Sequence, residues 1–205
     1  LAGISHDLRT PLARMNLALE MLPGNTDPKL IHRLQHDLEQ MNRLIGTFLD
    51  VSRSLGHEEK QEVDLNALIQ ELAEETRRSD PHAEVEYAPG PPCRTRVAPL
   101  ALQRILSNLL DNAARYGAGG PVSIKLEAMQ KGRILISILD RGPGIPENQR
   151  EAVFQPFYRI ESSRNTATGG SGLGLAIARQ LADSNGWKLE LLPRAGGGTE
   201  ALVQL

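Results

Sequence analysis

The stretch Ser5-His6-Asp7-Leu8-Arg9-Thr10-Pro11-Leu12 lies within an amphipathic pattern that covers residues 1–22. Apolar residues recur there at steps of three and four, which predicts a helix with one apolar stripe made of Leu1, Ile4, Leu8, Leu12, Met15, Leu19 and Leu22. Because successive helical residues are rotated by about 100°, His6 is expected on the side opposite that stripe, facing water. A water-facing histidine beside the carboxylate of Asp7 is a candidate nucleophile.

A second amphipathic segment follows a turn of helix-breaking residues at positions 23–28. Residues 29–56 carry a heptad pattern, which predicts a helix with apolar positions at Ile31, Leu34, Leu38, Met41, Ile45, Phe48 and Leu55. Two antiparallel helices with one stripe each cannot bury a sufficient core alone, whereas two such hairpins form a four-helix bundle. We therefore predict a homodimer through residues 1–56. The alternative is a hairpin that packs on the second domain of its own chain.

The composition is that of an ordinary soluble protein of 205 residues, with 40% hydrophobic and 23% charged residues. The net charge of −2 creates no field that favours nucleic acid or an anionic membrane, so neither partner is expected. The single cysteine, Cys93, excludes an intramolecular disulfide and favours a reducing, cytoplasmic compartment. The sequence has no apolar run of about 18 residues and no signal-peptide pattern. It begins inside a helix pattern, from which we expect a fragment of a longer protein.

The chain changes character after a polar, unpatterned segment at 58–62, the predicted linker between domains 1–57 and 63–205. Asp64 is the predicted N-cap of a helix over 65–78, and a longer helix is predicted over 99–116. Further helical stretches near 147–153 and 173–185 occur among strand patterns near 84–88, 94–97, 122–128, 133–140, 187–193 and 199–205. This mixture predicts an α/β sandwich with helices on one sheet face, and an α+β class for the whole chain.

Two asparagines, Asn108 and Asn112, lie four residues apart on the helix predicted over 99–116 and share a polar face with Arg115. Carboxamide oxygens are adequate ligands for Mg²⁺, which prefers oxygen donors. The pair is therefore suited to a metal that bridges nucleotide phosphates, with Arg115 neutralising further charge. Two solvated asparagines are the alternative interpretation.

A glycine-rich segment, Asp140-Arg141-Gly142-Pro143-Gly144-Ile145, comes directly after a predicted strand. Its glycines allow the backbone to approach a flat ring, Asp140 can accept a hydrogen bond from an exocyclic amine, and Ile145 can cover the ring face. The alternative is a turn that ends the strand.

A second glycine-rich stretch, residues 168–176, leads into a predicted helix. Its exposed amides and the helix N-terminus suit a triphosphate, and its glycines suit a lid that becomes ordered on binding. It matches neither a dinucleotide fingerprint nor a P-loop. Just before it, Phe154 and Phe157 are expected to pack beneath the lid, while Arg159 is expected either to reach the γ-phosphate or to form a solvated salt bridge.

Each pattern has an ordinary explanation alone, but their joint order resembles that of the bacterial sensor histidine kinases across nearly the whole chain. A His-Asp helix is followed by Asn-x-x-x-Asn, Asp-x-Gly-x-Gly, Phe-x-x-Phe and Gly-x-Gly-x-Gly. The stretch from Ser5 to Leu12 resembles the family's phosphoacceptor box, and residues 108–117 resemble its asparagine box. The strings His-Asp-Leu-Arg-Thr-Pro and Asn-Ala-Ala-Arg-Tyr-Gly are most similar to the EnvZ-like osmosensor subfamily.

The resemblance implies a dimerisation and phosphotransfer domain followed by an ATP-binding domain of the gyrase, Hsp90 and histidine kinase type. The implied reaction moves the γ-phosphoryl group of ATP to His6 and then to an aspartate of a response regulator. Asp7 is the implied base, Asn108 supports the phosphates or the attacking geometry, and Asn112 is the Mg²⁺ ligand. The implied nucleotide contacts are Asn108, Asn112, Arg115, Tyr116, Asp140, Gly142, Gly144, Ile145, Arg159, Gly170, Ser171, Gly172, Leu173, Gly174 and Thr199.

The resemblance leaves several functional alternatives open. Thr10 matches the position from which family members orient water to dephosphorylate the regulator, although it can also hydrogen-bond back to its own helix before Pro11. The parent protein is expected in the inner membrane. Two other classes are a nucleotide-binding dimer scaffold without phosphotransfer, against which His6 and Asp7 argue, and an ATPase or serine kinase with the same nucleotide fold.

Overall fold

The computed structural model describes residues 58–80, 83–129, 132–160 and 172–205. Contacts divide the chain into two units, Leu1–Gly56 and His57–Leu205, and all described residues belong to the second. The predicted helical hairpin and its dimer lie outside the described residues. Within the ranges above, no helix is both long and apolar enough to span a bilayer.

The described part of the second unit contains one main sheet, a small two-stranded sheet and three α-helices. In chain order these elements are β1 (Gln61–Asp64), α1 (Leu65–Ser79), β2 (Val85–Tyr87), β3 (Arg94–Val97), α2 (Pro99–Tyr116), β4 (Val122–Ala128), β5 (Ile134–Leu139), α3 (Gly174–Asn185), β6 (Lys188–Pro193) and β7 (Thr199–Gln204). The main sheet has the order β2-β4-β5-β7-β6. The short β2 runs parallel to β4, whereas the other pairs are antiparallel. The predicted α/β domain is confirmed.

The core lies between the main sheet and the helices. Its centre combines side chains of α1, α2, β4 and β5, namely Ile69, Leu72, Leu106, Leu110, Ile124 and Ile138. Complete burial of each Leu or Ile side chain contributes about 1.5–3 kcal/mol to stability. The third helix, α3, packs against α2 and β6. This packing fixes α2 over the sheet and leaves its polar face available to a ligand.

The N-terminal end of this unit differs from the sequence-based expectation. Gln61 and Glu62, assigned above to the linker, belong to β1 and pair with Val97 and Arg96 of β3. Both residues are exposed, so the pairing rests on backbone hydrogen bonds and produces no apolar alternation in the sequence. The predicted N-cap at Asp64 is confirmed, because its Oδ1 accepts hydrogen bonds from the N–H groups of Asn66 (3.1 Å) and Ala67 (3.3 Å).

The stretch near 147–153, predicted to be helical, forms two short 3₁₀ turns, Glu147–Gln149 and Ala152–Phe154. Each turn is closed by bonds to the residue three positions earlier, such as the 3.3 Å bond from the Arg150 N–H to the Glu147 carbonyl. Short segments of this kind favour the tighter 3₁₀ geometry because they cannot offset the cost of starting a longer α-helix. The other predicted helices and strands of this unit agree with the structure to within about two residues.

Candidate functional site

Asp140 follows directly after β5, the central strand of the main sheet, and is 7% exposed. Its Oδ1 accepts hydrogen bonds from the N–H groups of Gly142 (2.8 Å) and Thr199 (3.0 Å). Its own N–H donates to the Thr199 carbonyl at 3.0 Å. Among the described residues, Oδ2 has no hydrogen-bond partner. The carboxylate is therefore held through one oxygen and keeps the other for a donor on a ligand.

The C-terminal end of α2 lies against the turn that follows Asp140. A Cβ atom at Gly142 would overlap the backbone carbonyl oxygen of Tyr116, so only glycine fits there. Gly117, which closes α2 through a 2.8 Å bond to the Ala113 carbonyl, lies beside Asp140; a Cβ atom on it would be 3.5 Å from the Asp140 Cβ. The helix end and the strand end thus share one corner of the domain.

The hairpin between β6 and β7 packs on the same corner. Gly198 has a φ of +102°, and a Cβ atom there would overlap the Asp140 carbonyl oxygen. Gly144, with a φ of +76°, approaches the Gly198 carbonyl, which would be 3.3 Å from an added Cβ. Five residues predicted as nucleotide contacts therefore come together, and we call them the Asp140 cluster: Tyr116, Asp140, Gly142, Gly144 and Thr199.

A second group forms where α3 begins beside α2. A Cβ atom on Gly174 would lie 3.2 Å from Oδ1 of Asn108, whose Nδ2 donates to the Arg104 carbonyl at 2.9 Å. Gly172 contacts the backbone of Phe157, and its carbonyl accepts a 2.9 Å bond from the Phe157 N–H. We call Asn108, Phe157, Gly172 and Gly174 the Asn108 cluster.

The two clusters lie along one helix. Asn108 and Tyr116 are separated by little more than two turns of α2, or about 12 Å along its axis. Asn112 lies between them and is half-buried, and its side chain has no hydrogen-bond partner among the described residues. Along α2, an uncommitted carboxamide therefore lies between the Asp140 cluster and the Asn108 cluster.

The remaining predicted contacts differ in their exposure and in their place in the fold. Ile145 is half-buried next to Gly144, and its carbonyl accepts from Nε of Arg150 at 3.4 Å. Arg115 is exposed in the last turn of α2, and Arg159 is half-buried near the end of the range 132–160. Leu173 is buried at the start of α3. The remaining site residues, His6, Asp7, Thr10, Gly170 and Ser171, lie outside the described residues.

On the polar side of α2, the Asp111 carboxyl interacts electrostatically with Arg115 and with Glu75 of α1. Burial raises the pKa of the Asp111 carboxyl, while Arg115 lowers that pKa and Glu75 on α1 raises it. Part of the Arg115 charge is therefore engaged with Asp111 and is not wholly directed at a ligand.

Two features of the site have no local sequence signal. Nη1 of Arg194 donates a 2.8 Å hydrogen bond to the Asp140 carbonyl across a sequence separation of 54 residues. The Arg179 guanidinium lies 4.0 Å from the centroid of the Phe154 ring and 3.5 Å from the Glu151 carboxylate. The Phe154 ring therefore lies beneath Arg179 of α3, whereas Phe157 is 62% exposed.

Comparison with protein families assigns both parts of the chain. Residues 97–205 match the histidine kinase-, DNA gyrase B- and HSP90-like ATPases, and residues 1–56 match the His kinase A phospho-acceptor domain. The chain belongs to the sensor histidine kinases. The domain that contains the Asp140 and Asn108 clusters is the ATP-binding domain of this kinase.

Individual proteins that are similar to this chain are also named as histidine kinases. The sensor histidine kinase GtrS of Pseudomonas aeruginosa is 37% identical over 207 residues, which cover 100% of this chain and 41% of that protein. The kinase/phosphatase MprB of Mycolicibacterium paratuberculosis is 31% identical over 208 residues, covering 94% of this chain and 39% of that protein. The histidine kinase chain described here thus spans about two fifths of the length of these relatives.

Solved structures of other histidine kinases are similar to this chain in fold. A mycobacterial sensor histidine kinase MprB structure has a TM-score of 0.62 at 33% identity and covers 71% of this chain and 96% of its own. Full-length ShkA in complex with AMPPNP has a TM-score of 0.74 at 25% identity and covers 99% of this chain and 44% of its own.

Proposed function

We propose that this kinase transfers the γ-phosphoryl group of ATP to an imidazole nitrogen of His6 and then to an aspartate of a response regulator. In the first step, the bond between the γ-phosphorus and its bridging oxygen breaks, a nitrogen–phosphorus bond forms, and ADP leaves. The imidazole proton passes to Asp7, the proposed base. Histidine suits this role because its ordinary pKa of about 6.5 leaves a neutral nitrogen at the pH of the cell.

The observation that carries the nucleotide part of the proposal is the free Oδ2 of Asp140. Two backbone N–H groups fix Oδ1, so Oδ2 is oriented before a ligand arrives. Adenine presents an exocyclic amine at C6, a donor that matches a carboxylate oxygen, whereas guanine presents at C6 a carbonyl oxygen that does not. Gly142 and Gly144 allow the base to approach, and Ile145 and Tyr116 are the proposed apolar and aromatic contacts of the ring.

The phosphates are proposed to extend along α2 towards the Asn108 cluster. The side chain of Leu173, the N-cap residue of α3, makes no capping hydrogen bond, and a helix N-terminus of this kind suits an anion. Gly170, Ser171 and Gly172 complete the proposed lid. The proposed polar contacts of the triphosphate are Asn108, Arg115 and Arg159. Thr199 contributes to adenine recognition indirectly, by holding Asp140.

The residues present fit a Mg²⁺ ion that is bound together with the nucleotide. Among the described residues no group of three or more His, Cys, Asp or Glu side chains is placed to hold a metal alone. Asn112 offers one uncommitted carboxamide oxygen, and the remaining ligands would be phosphate oxygens and water. When bound there, the ion neutralises charge on the phosphates.

The whole protein's assembly and surroundings are part of the same proposal. We infer a homodimer through residues 1–56, within a phosphotransfer domain 1–57, followed by a catalytic domain that includes Glu58 and β1. The receiver domain of a response regulator is the proposed partner, with no direct binding to nucleic acid or membrane. We place residues 1–205 in the cytoplasm, as part of a kinase of the inner membrane. The two sequence strings noted above support the EnvZ-like subfamily.

Removal of the phosphoryl group from the regulator is a second proposed activity. Thr10 is the residue proposed to orient the attacking water. The relative MprB, named a kinase/phosphatase, supports this proposal.

The Asp140→Asn variant tests the nucleotide site. The carboxamide of this variant can satisfy the Gly142 and Thr199 N–H groups only through its oxygen, so its NH₂ group would face the amine of adenine, donor against donor. We expect about tenfold or greater loss of AMPPNP affinity by calorimetry, and a shift in preference from ATP towards inosine triphosphate. The matched control is Asp183→Asn, on an exposed part of α3. Unchanged affinity and base preference in Asp140→Asn would contradict the proposed site.

A further inference from the structure

We propose that Arg194 is a positioning residue for adenine recognition, acting through the backbone of Asp140. The inference rests on the proposed function, because it concerns how firmly the base-recognising carboxylate is held. Arg194 belongs to none of the sequence motifs and follows directly after β6.

The hairpin fixes the backbone of Arg194. Its N–H donates to the Gly198 carbonyl at 3.2 Å, and its carbonyl accepts from the Gly197 N–H at 3.1 Å. From this anchored position the half-buried side chain extends past the end of β7 to the end of β5, two strands away in the sheet. There Nη1 donates the 2.8 Å bond to the Asp140 carbonyl.

This bond completes the restraint of Asp140. The Asp140 N–H is bound by Thr199, and Oδ1 is bound by Gly142 and Thr199. The carbonyl of Asp140 belongs to the peptide that leads into Arg141 and the glycine turn. Without Arg194, that peptide loses its only hydrogen bond among the described residues and can rotate, carrying the Gly142 N–H away from Oδ1. Oδ2 is then held less firmly, and its hydrogen bond with the exocyclic amine of adenine weakens.

The mechanism makes a prediction that a purely structural role does not. Arg194 acts on the contact between Oδ2 and the exocyclic amine, so its loss should reduce affinity for ATP more than for purine riboside triphosphate, which lacks that amine. A general loosening of the domain would weaken both ligands equally. A direct contact between Arg194 and phosphate would weaken every triphosphate equally and spare adenosine.

The test compares Arg194→Met, which keeps an unbranched apolar stem without a donor, with Arg194→Lys, which keeps a donor. Arg133→Met, an exposed arginine before β5, is the matched control. Calorimetry in the full chain with a His6→Gln background measures the dissociation constants of ATP, purine riboside triphosphate and adenosine without phosphoryl transfer. We expect Arg194→Met to bind ATP and adenosine about five- to tenfold more weakly, to change purine riboside triphosphate by less than about twofold, and to be partly restored in Arg194→Lys.

Three results would overturn the inference: unchanged ATP affinity in Arg194→Met, equal losses for ATP and purine riboside triphosphate, or a loss confined to the triphosphates. Any of these leaves the proposed function intact, provided that wild type prefers ATP to purine riboside triphosphate. If wild type lacks that preference, both the inference and the proposed role of Asp140 fail.

Discussion

The carboxylate of Asp140 is held in place through Oδ1, while Oδ2 is free to bind a ligand. The residues around the short turn after Asp140 explain this arrangement. The backbone of Gly142 both donates to Oδ1 and passes against the Tyr116 carbonyl. The sequence predicted Asp140 and the two glycines, because an acceptor and small residues after a strand have a chemical meaning on their own. It did not predict which oxygen is free or that Arg194 binds the carbonyl, because both depend on strands that meet only in the folded sheet.

Replacement of Gly142 by alanine tests the close approach at this corner. The added Cβ would overlap the Tyr116 carbonyl, so the turn must move and we expect about 1–3 kcal/mol of lost stability with weaker AMPPNP binding. Urea unfolding and calorimetry measure the two effects. Gly90→Ala is the control, since no atom lies within 4 Å of its added Cβ. If Gly142→Ala behaves like Gly90→Ala in both assays, the proposed packing is wrong.

The Asp111 carboxyl provides a prediction about pH. Burial raises its pKa above the ordinary value of 3.8, so its neutral form is favoured in the folded state. Its contribution to stability is then fully present below pH of about 3.8 and is lost as the pH rises through the folded-state pKa. We expect wild type to lose stability relative to Asp111→Asn as the pH rises above the ordinary pKa of the carboxyl group, measured by urea unfolding at a series of pH values. The control is Asp183→Asn, whose stability is measured over the same pH range. If wild type gains stability relative to Asp111→Asn as the pH rises, the prediction is wrong.

At the scale of elements, α2 connects the parts of the site. Its C-terminal end contacts the turn after Asp140, its middle carries Asn108 and Asn112, and its N-terminal end is held by Glu58. The two oxygens of Glu58 accept from the N–H groups of Leu100 (2.8 Å) and Ala101 (3.0 Å), which Ala98 at the N-cap cannot satisfy. The cap of α1 was predictable because Asp64 is adjacent to that helix, whereas the cap of α2 comes from 42 residues earlier.

Glu58→Ala tests this distant cap. Loss of a carboxylate that binds two N–H groups at a helix N-terminus is expected to destabilise the domain by about 1 kcal/mol. The shift of the urea midpoint in the full chain measures it, with the exposed neighbour Glu59→Ala as the control. Equal midpoints for the two variants would show that the Glu58 bonds contribute nothing to stability.

The proposed reaction involves both domains: one binds the nucleotide and the other carries the phosphoryl acceptor. The class of the second domain was predictable from the mixture of helices and strands, and its family from the order of the motifs. The sheet order was not, because β2 has only three residues and its parallel pairing with β4 joins segments that are far apart in the chain. The acceptor side rests on the match of residues 1–56 to the phospho-acceptor domain.

The most direct test is to incubate the full chain with Mg²⁺ and ATP radiolabelled in the γ-phosphoryl group. We predict that wild type and the control His32→Gln acquire label that acid removes and alkali does not, the behaviour of a phosphorylated imidazole nitrogen. His6→Gln should acquire none while still binding AMPPNP. Label on His6→Gln, or an alkali-labile bond in wild type, would contradict the transfer from the Asp140-held nucleotide to His6.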